Sequence, residues 1–297
     1  MNFIPKGIIV PIVTPFTDDG HINENVLRQL IRFLIDEGIH GLFPLGTTGE
    51  FYAINNDEYQ RILEITIEEA NGKVPVYAGC NHITTRGVIA LVKIAERAGA
   101  DAVSILTPMF VSQTQGELYK YYKTISESTS MPIVMYNNKP KTNITIEPDT
   151  AARLAELDNI VGIKDSTGDF TNTEEYLRLT HGNDNFHVLL GRDTLIYAGL
   201  CHGASGAIAS CANVAPRIVA DIYDKFVAGD YAGALEAQFI LAPLRIASNM
   251  GTFPAVIKEG ICMRGIPVGK CLSPIEEITP EQKEKLRKVL VSMKLIH

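Results

Sequence analysis

The sequence predicts a (β/α)8 TIM barrel with a C-terminal helical appendix, on three observations. Short β-rich runs alternate with helix-length stretches through most of the chain. Eight such strand–helix units can be traced, the number that closes into a barrel. Several of the runs are continuously apolar, as strands are when both faces of a parallel sheet are covered.

The elements follow in order. Residues 8–13 read as strand one. Helix 24–37 stops at Gly38 before strand 41–45, helix 57–70 stops at Gly72 before strand 74–78, and helix 85–98 stops at Gly99 before strand 102–106. Glycine accepts the left-handed backbone that closes a helix, so it punctuates these units. Later pairs are helix 115–128 with strand 132–136, helix 149–157 with 160–164, helix 172–180 with 187–190, and a helix from Thr194 with 206–210. Beyond Pro216 the pattern is helical: 216–228, 231–247, 253–264 and 280–294. The first of these completes a barrel spanning 1–229. The rest, 230–297, read as helices packed on it, because no linker rich in Gly, Ser or Pro sets them apart. A doubly wound open sheet is the competing fold, but no GxGxxG follows strand one.

Composition narrows the function. A length of 297 residues suits one barrel with an appendix, and 46% hydrophobic against 21% charged residues supports a large core. A net charge of -7 lacks the basic footprint of a nucleic-acid binder. Five cysteines, at 80, 201, 211, 262 and 271, are odd in number and form no CxxC, which fits reduced thiols in a cytoplasmic protein. Lys6 and Pro11 interrupt the apolar start, which reads as a strand and not as a signal peptide. No uninterrupted apolar run reaches the roughly 18 residues of a membrane span. The seven histidines form neither HxH nor HExxH, and there is no Walker A loop or GxSxG elbow, so no metal or cofactor is expected.

Barrels of this kind carry their chemistry at the carboxyl ends of the strands. Lys164 follows the apolar run 160–163, so it belongs to a strand end and not to a solvated helix face. Desolvation favours its neutral amine, which can attack a ketone to form an imine. An ion pair with Asp165 or Glu50 is the structural alternative. Tyr136 ends the preceding strand, where a phenol can relay protons; a tyrosine standing alone is more often a core residue with a satisfied hydroxyl. Gly46-Thr47-Thr48-Gly49 offers two hydroxyls and free amides for a carboxylate, although ordinary turns also use Gly and Thr.

These residues together resemble the dihydrodipicolinate synthase / N-acetylneuraminate lyase family of pyruvate-dependent class I aldolases. The markers are Gly46-Thr47-Thr48-Gly49-Glu50, Tyr136-Asn137 and Gly162-Ile163-Lys164-Asp165, in this order and each at a strand end, and the likeness runs from about Gly7 to the final helix. The resemblance implies an imine between Lys164 and pyruvate, Tyr136 as acid/base, Thr47 as its relay partner and Thr48 as a carboxylate ligand. It also implies that Gly46, Ile208 and Gly191 border the pocket. An aldehyde is the implied second substrate, and a homo-oligomer built as a dimer of dimers the implied assembly.

Two positions depart from the synthase pattern. Phe110 stands where those enzymes carry a tyrosine that completes a neighbour's relay. Lys141 stands where they carry an arginine that grips the second substrate, and lysine lacks the bidentate fork. Arg192, at the end of strand seven, is the candidate to supply that grip, with a salt bridge to Asp193 or Asp165 as its structural alternative. The synthase reaction, pyruvate plus aspartate semialdehyde, leads. Cleavage or dehydration of a 2-keto-3-deoxy sugar acid or hydroxy-2-oxo acid is the alternative, and a noncatalytic 2-keto-acid binding protein is the reading from another class.

Overall fold

The computed structural model describes residues 3–297. Its strands are β1 (Gly7–Val10), β2 (Gly41–Leu42), β3 (Tyr77–Gly79), β4 (Ala102–Leu106), β5 (Ile133–Asn137), β6 (Ile160–Asp165), β7 (His187–Leu190) and β8 (Gly206–Ile208). Between and after them run α1 (Glu24–Asp36), α2 (Asn56–Ala70), α3 (Thr85–Ala98), α4 (Gln115–Ser126), α5 (Lys139–Thr142), α6 (Pro148–Leu154), α7 (Phe170–Leu179), α8 (Ile196–Cys201) and α9 (Pro216–Val227). The C-terminal helices are α10 (Tyr231–Ala247), α11 (Ala255–Met263) and α12 (Pro280–Ser292).

All strand pairs are parallel, in the order β2-β1-β8-β7-β6-β5-β4-β3. The two end strands meet through a bridge between Leu42 and Val76 and a hydrogen bond from Gly79 N to Pro44 O of 3.1 Å. The sheet therefore closes into the (β/α)8 barrel, and the open-sheet alternative falls away. Each strand or its immediate end sends one side chain into an inner cluster: Ile9, Phe43, Tyr77, Ala102, Val134, Val161, Leu189 and Ile208. Outward side chains join a much larger cluster under the helices.

Several boundaries differ from the sequence reading. Strand one stops at Val10, because Pro11 has no N–H for the ladder. Strand eight stops at Ile208, and residues Ser210–Asn213 coil into a 3-10 turn, where Asn213 donates to Pro11 O and accepts from Val13 N. The helix expected from Thr194 is a 3-10 turn, Asp193–Leu195, followed by the short α8. The single-turn α5, started by Pro140, was not expected.

A β-bulge in β6 has the largest effect on the site. Ile133 pairs with Ile160, but Val134 pairs with Gly162, so Val161 is an extra residue. Strict alternation would put Val161 and Ile163 on one face and Lys164 on the other. The bulge resets the phase: Val161 points inward, Ile163 outward and Lys164 inward. Gly162 allows it, since a Cβ there would lie 2.4 Å from His187 O.

The C-terminal helices are stitched onto the barrel mouth. Gln238 of α10 accepts from Tyr197 N at 3.0 Å and donates to Asp193 O at 2.9 Å. Lys258 of α11 is buried and pairs with Glu50 at 2.7 Å, while Leu272 N donates to the other Glu50 oxygen at 2.9 Å.

Candidate active site

A cavity of about 400 Å³ opens at the carboxyl ends of the strands, within the range that holds small organic ligands. Thr47, Thr48, Tyr136, Lys141, Lys164, Gly191, Arg192 and Ile208 line it, as eight of the sequence-derived candidates. Gly46 lies behind the lining, where a Cβ would press on the Phe43 ring at 3.1 Å. Phe110 is not in the lining; its side chain stands 94% exposed on the loop after β4, with φ 79. Within one chain, then, Phe110 does not reach this cavity, because the loop turns it out to solvent.

Lys164 is 4% exposed, and its ammonium nitrogen lies 4.0 Å from the centroid of the Tyr136 ring and 5.2 Å from that of Phe43. Neither anion proposed for an ion pair is beside it. Asp165 follows Lys164 on the strand and points the other way, accepting from Asn137 Nδ2 (3.1 Å), Thr167 Oγ1 (3.0 Å) and Thr173 Oγ1 (2.7 Å). Glu50 is spent on Lys258. Burial pushes the Lys164 pKa below the usual lysine range, and the opposing pull of Tyr136 and Asp193 does not offset it.

Tyr136 sits one strand away, paired with Lys164 in the β5–β6 register. Its hydroxyl accepts from Asn138 Nδ2 at 2.8 Å and lies 3.3 Å from Thr47 Oγ1. Since the amide must donate, the phenolic hydrogen is left to point towards Thr47 or the cavity. Burial raises its pKa, but the Lys164 charge and the hydroxyls of Thr47 and Ser166 outweigh that, so it is lowered overall.

The loop carrying Thr47 and Thr48 is held under strain. Leu45 and Glu50 take left-handed φ values of 62 and 56. Asn81 braces the first of these, donating to Leu45 O at 3.1 Å and accepting from Leu106 N at 3.0 Å. Gly79 leaves room for that carbonyl, which would lie 2.2 Å from a Cβ. Gly191, in the cavity lining, also leaves room for a neighbour: a Cβ there would meet Ser166 Oγ at 2.0 Å.

This arrangement is a buried amine with a phenol, a hydroxyl relay and a polar loop facing one cavity, and the comparisons with known proteins agree on what it belongs to. The profile of the "Dihydrodipicolinate synthetase family" matches residues 4–293. The chain belongs to that family. Among its relatives, the 4-hydroxy-tetrahydrodipicolinate synthase of Thermodesulfovibrio yellowstonii is 38% identical over 291 residues, covering 98% of this chain and 99% of that one. Among solved structures, the dihydrodipicolinate synthase of Thermotoga maritima superposes with a TM-score of 0.96 at 33% identity, covering 99% of this chain and 100% of that one. The Acinetobacter baumannii dihydrodipicolinate synthase complexed with pyruvate gives 0.95 at 32%, covering 98% and 99%.

In this member of the family, the cavity lining also includes residues to which the sequence reading gave no role. Ser166, Asn138 and Ser210 follow strand ends already singled out and were legible in principle. Arg245, Ser248, Asn249, Thr252 and Phe253 belong to the end of α10 and the loop to α11. No motif marks them, because the fold brings them to the cavity from far along the chain. Among the described residues no group of three or more His, Cys, Asp or Glu side chains converges as a metal site would, and no helix is long and apolar enough to cross a membrane.

Proposed function

We propose that this chain is a Schiff-base-forming, pyruvate-dependent lyase of the 4-hydroxy-tetrahydrodipicolinate synthase type. The observation that carries the reading is the buried Lys164 amine, without an anionic partner, facing Tyr136 across one strand. The names of the relatives and the pyruvate complex of one of them support the substrate.

The neutral amine attacks the keto carbon of pyruvate, and the carbinolamine loses water to give a protonated imine. Tyr136, linked to Thr47, supplies and removes the protons of these steps. The imine then draws electrons so that the methyl carbon loses a proton, and the resulting enamine attacks the aldehyde carbon. Hydrolysis of the new imine returns Lys164. Thr48 is proposed as a pyruvate carboxylate ligand, with Gly46, Gly191 and Ile208 shaping its seat; Lys141 and Arg192 face the second substrate. The imine itself is the electron sink, so we propose no metal or cofactor. A homo-oligomer is part of the proposal: Phe110, Val111, Ile83 and Tyr52 are apolar side chains more than half exposed around the β4 end, and a partner would cover them. Five free cysteines support a reducing, cytoplasmic setting.

One observation favours a second reading within the same chemistry. Phe110 carries no hydroxyl to extend a relay, and Lys141 carries no guanidinium fork, so an aldolase or dehydratase for a 2-keto-3-deoxy sugar acid or hydroxy-2-oxo acid uses the same imine with a different partner.

The test is direct. Incubation with pyruvate, borohydride reduction and peptide mapping should place a reduced adduct on Lys164. An adduct on Lys139 or Lys141, or none, sinks the proposal. A panel of aldehydes read by product mass then separates the two partners' chemistry.

A further inference from the structure

The cavity has an unusual charge balance. Its lining holds the cations Lys141, Lys164, Arg192 and Arg245 and one acid, Asp193. Asp193 is 2% exposed and already engaged: its carboxylate accepts from Cys211 N at 2.7 Å and from Ser210 Oγ at 3.4 Å, and lies 3.7 Å from Arg245 Nε. Arg245 is fixed further by donating to Ser248 Oγ at 2.6 Å and Asn249 Oδ1 at 3.1 Å.

Arg192 is treated differently. Its guanidinium lies against Gly168, where a Cβ would sit 2.7 Å from Nε, so glycine makes room for it at the cavity edge. Among the described residues no carboxylate comes within salt-bridge distance of Arg192. Both acids that sequence suggested as partners are spoken for, Asp193 by Arg245 and Asp165 by the β5–β6 hydroxyl and amide network. Burial, with the nearby Arg245 charge adding to it, weakens the hold of Arg192 on its proton. A half-buried guanidinium beside a like charge is an unfavourable arrangement that an incoming oxyanion relieves, and the planar fork suits two oxygens of one group.

We propose that Arg192, with Arg245 beside it, forms a distal oxyanion subsite, so that the preferred second substrate carries a carboxylate or phosphate at the end remote from its carbonyl. The proposal rests on reading Lys164 as the imine lysine, since that fixes which end of the substrate reacts. With Thr48 and its loop taken as the pyruvate end, Arg192, just after β7, and Arg245, in the last turn of α10, define the other end and set the length of the acceptor. Lys141, on α5, adds a further positive charge to the lining.

Matched acceptors test it with pyruvate as donor: glyceraldehyde against glyceraldehyde 3-phosphate, and butanal against succinic semialdehyde. Wild type should favour the charged member of at least one pair in kcat/KM. Arg192→Gln should collapse that charged-to-uncharged ratio on the order of 10- to 100-fold, chiefly through KM, and Arg192→Lys should restore part of it. Phosphate and carboxylate arms show which oxyanion the fork takes. A ratio unchanged in Arg192→Gln, or a wild type with no preference in either pair, overturns the subsite. Calorimetric binding of glutarate and of inorganic phosphate, wild type against Arg192→Gln, reads the subsite without the reaction. Weaker binding in the variant alongside no Lys164 adduct would uphold the subsite and sink the imine reading, so the two failures are told apart.

Discussion

Lys164 and Lys258 are sealed from solvent to nearly the same degree, at 4% and 2% exposure, one at the barrel mouth and one in the seam under the C-terminal helices. Both lie over an aromatic ring, and burial lowers the pKa of both. Their neighbours separate them. Lys258 meets Glu50 at 2.7 Å and donates to Lys270 O at 2.8 Å, so its charge is matched on the spot. Lys164 has a phenol, a ring face and a cavity. Burial by itself does not make a nucleophile. The absence of a committed anion and an open approach do.

Substitutions at the two lysines should move different readouts. Lys164→Met should remove the borohydride-trapped pyruvate adduct altogether, while the protein still unfolds cooperatively; an adduct persisting elsewhere in the barrel would mean the wrong lysine was chosen. Tyr136→Phe should fold and still lose on the order of 10²–10⁴ in turnover, the range for a positioned acid/base, and wild-type rates would move the relay to another group. Lys258→Met should do the reverse of Lys164→Met. It strands the Glu50 charge in the seam and costs about 3–5 kcal/mol in denaturant unfolding, with the Lys164 adduct still formed. Unaltered stability there would show the seam pair to be weak.

The smallest expected effect is on the pH dependence of imine formation. Imine formation needs the neutral amine, so its rate rises with pH and levels off once Lys164 has lost its proton. Because the Lys164 pKa is lowered, that plateau should come below the ordinary lysine range near 10.4. Rapid-mixing measurements of adduct formation still climbing steeply at pH 10 would contradict the role of burial.

The barrel and the meeting of Lys164 with Tyr136 at one cavity were legible in the sequence because both follow from local signals: glycine-closed helices, apolar strands, and a lysine and a tyrosine at strand ends. Lys164 faces the barrel mouth as its strand-end position suggests, but the backbone device that turns it there was not legible. Alternation counted from Val161 gives the wrong face, and only the bulge opposite Ile133 and Val134 corrects it. A bulge depends on which residues of two strands pair, and that is a long-range property. The wall formed by Arg245 to Phe253 escaped for the same reason, since a helix end reaches a cavity through packing and leaves no local signature. Arg192 was singled out, but the salt bridges weighed for it do not form: Asp193 lies beside an arginine on α10, and Asp165 is held by Asn137 and Thr173. Phe110 sits at its expected place on the β4 loop, yet its outward exposure reflects a backbone at φ 79 that no residue pattern announced.

The loop between α10 and α11 has a consequence for how such a molecule can change over time. The amine, the phenol and the hydroxyl loop sit on the barrel, whereas one side of the chamber is supplied by helices added after the eighth unit. On the function proposed above, substitutions at 245–253 would retune which acceptor fits and leave Lys164, Tyr136 and the threonine loop in place. A lineage could try new partners at little risk to its basic reaction, and a protein engineer could graft this segment from one relative onto another as a cassette.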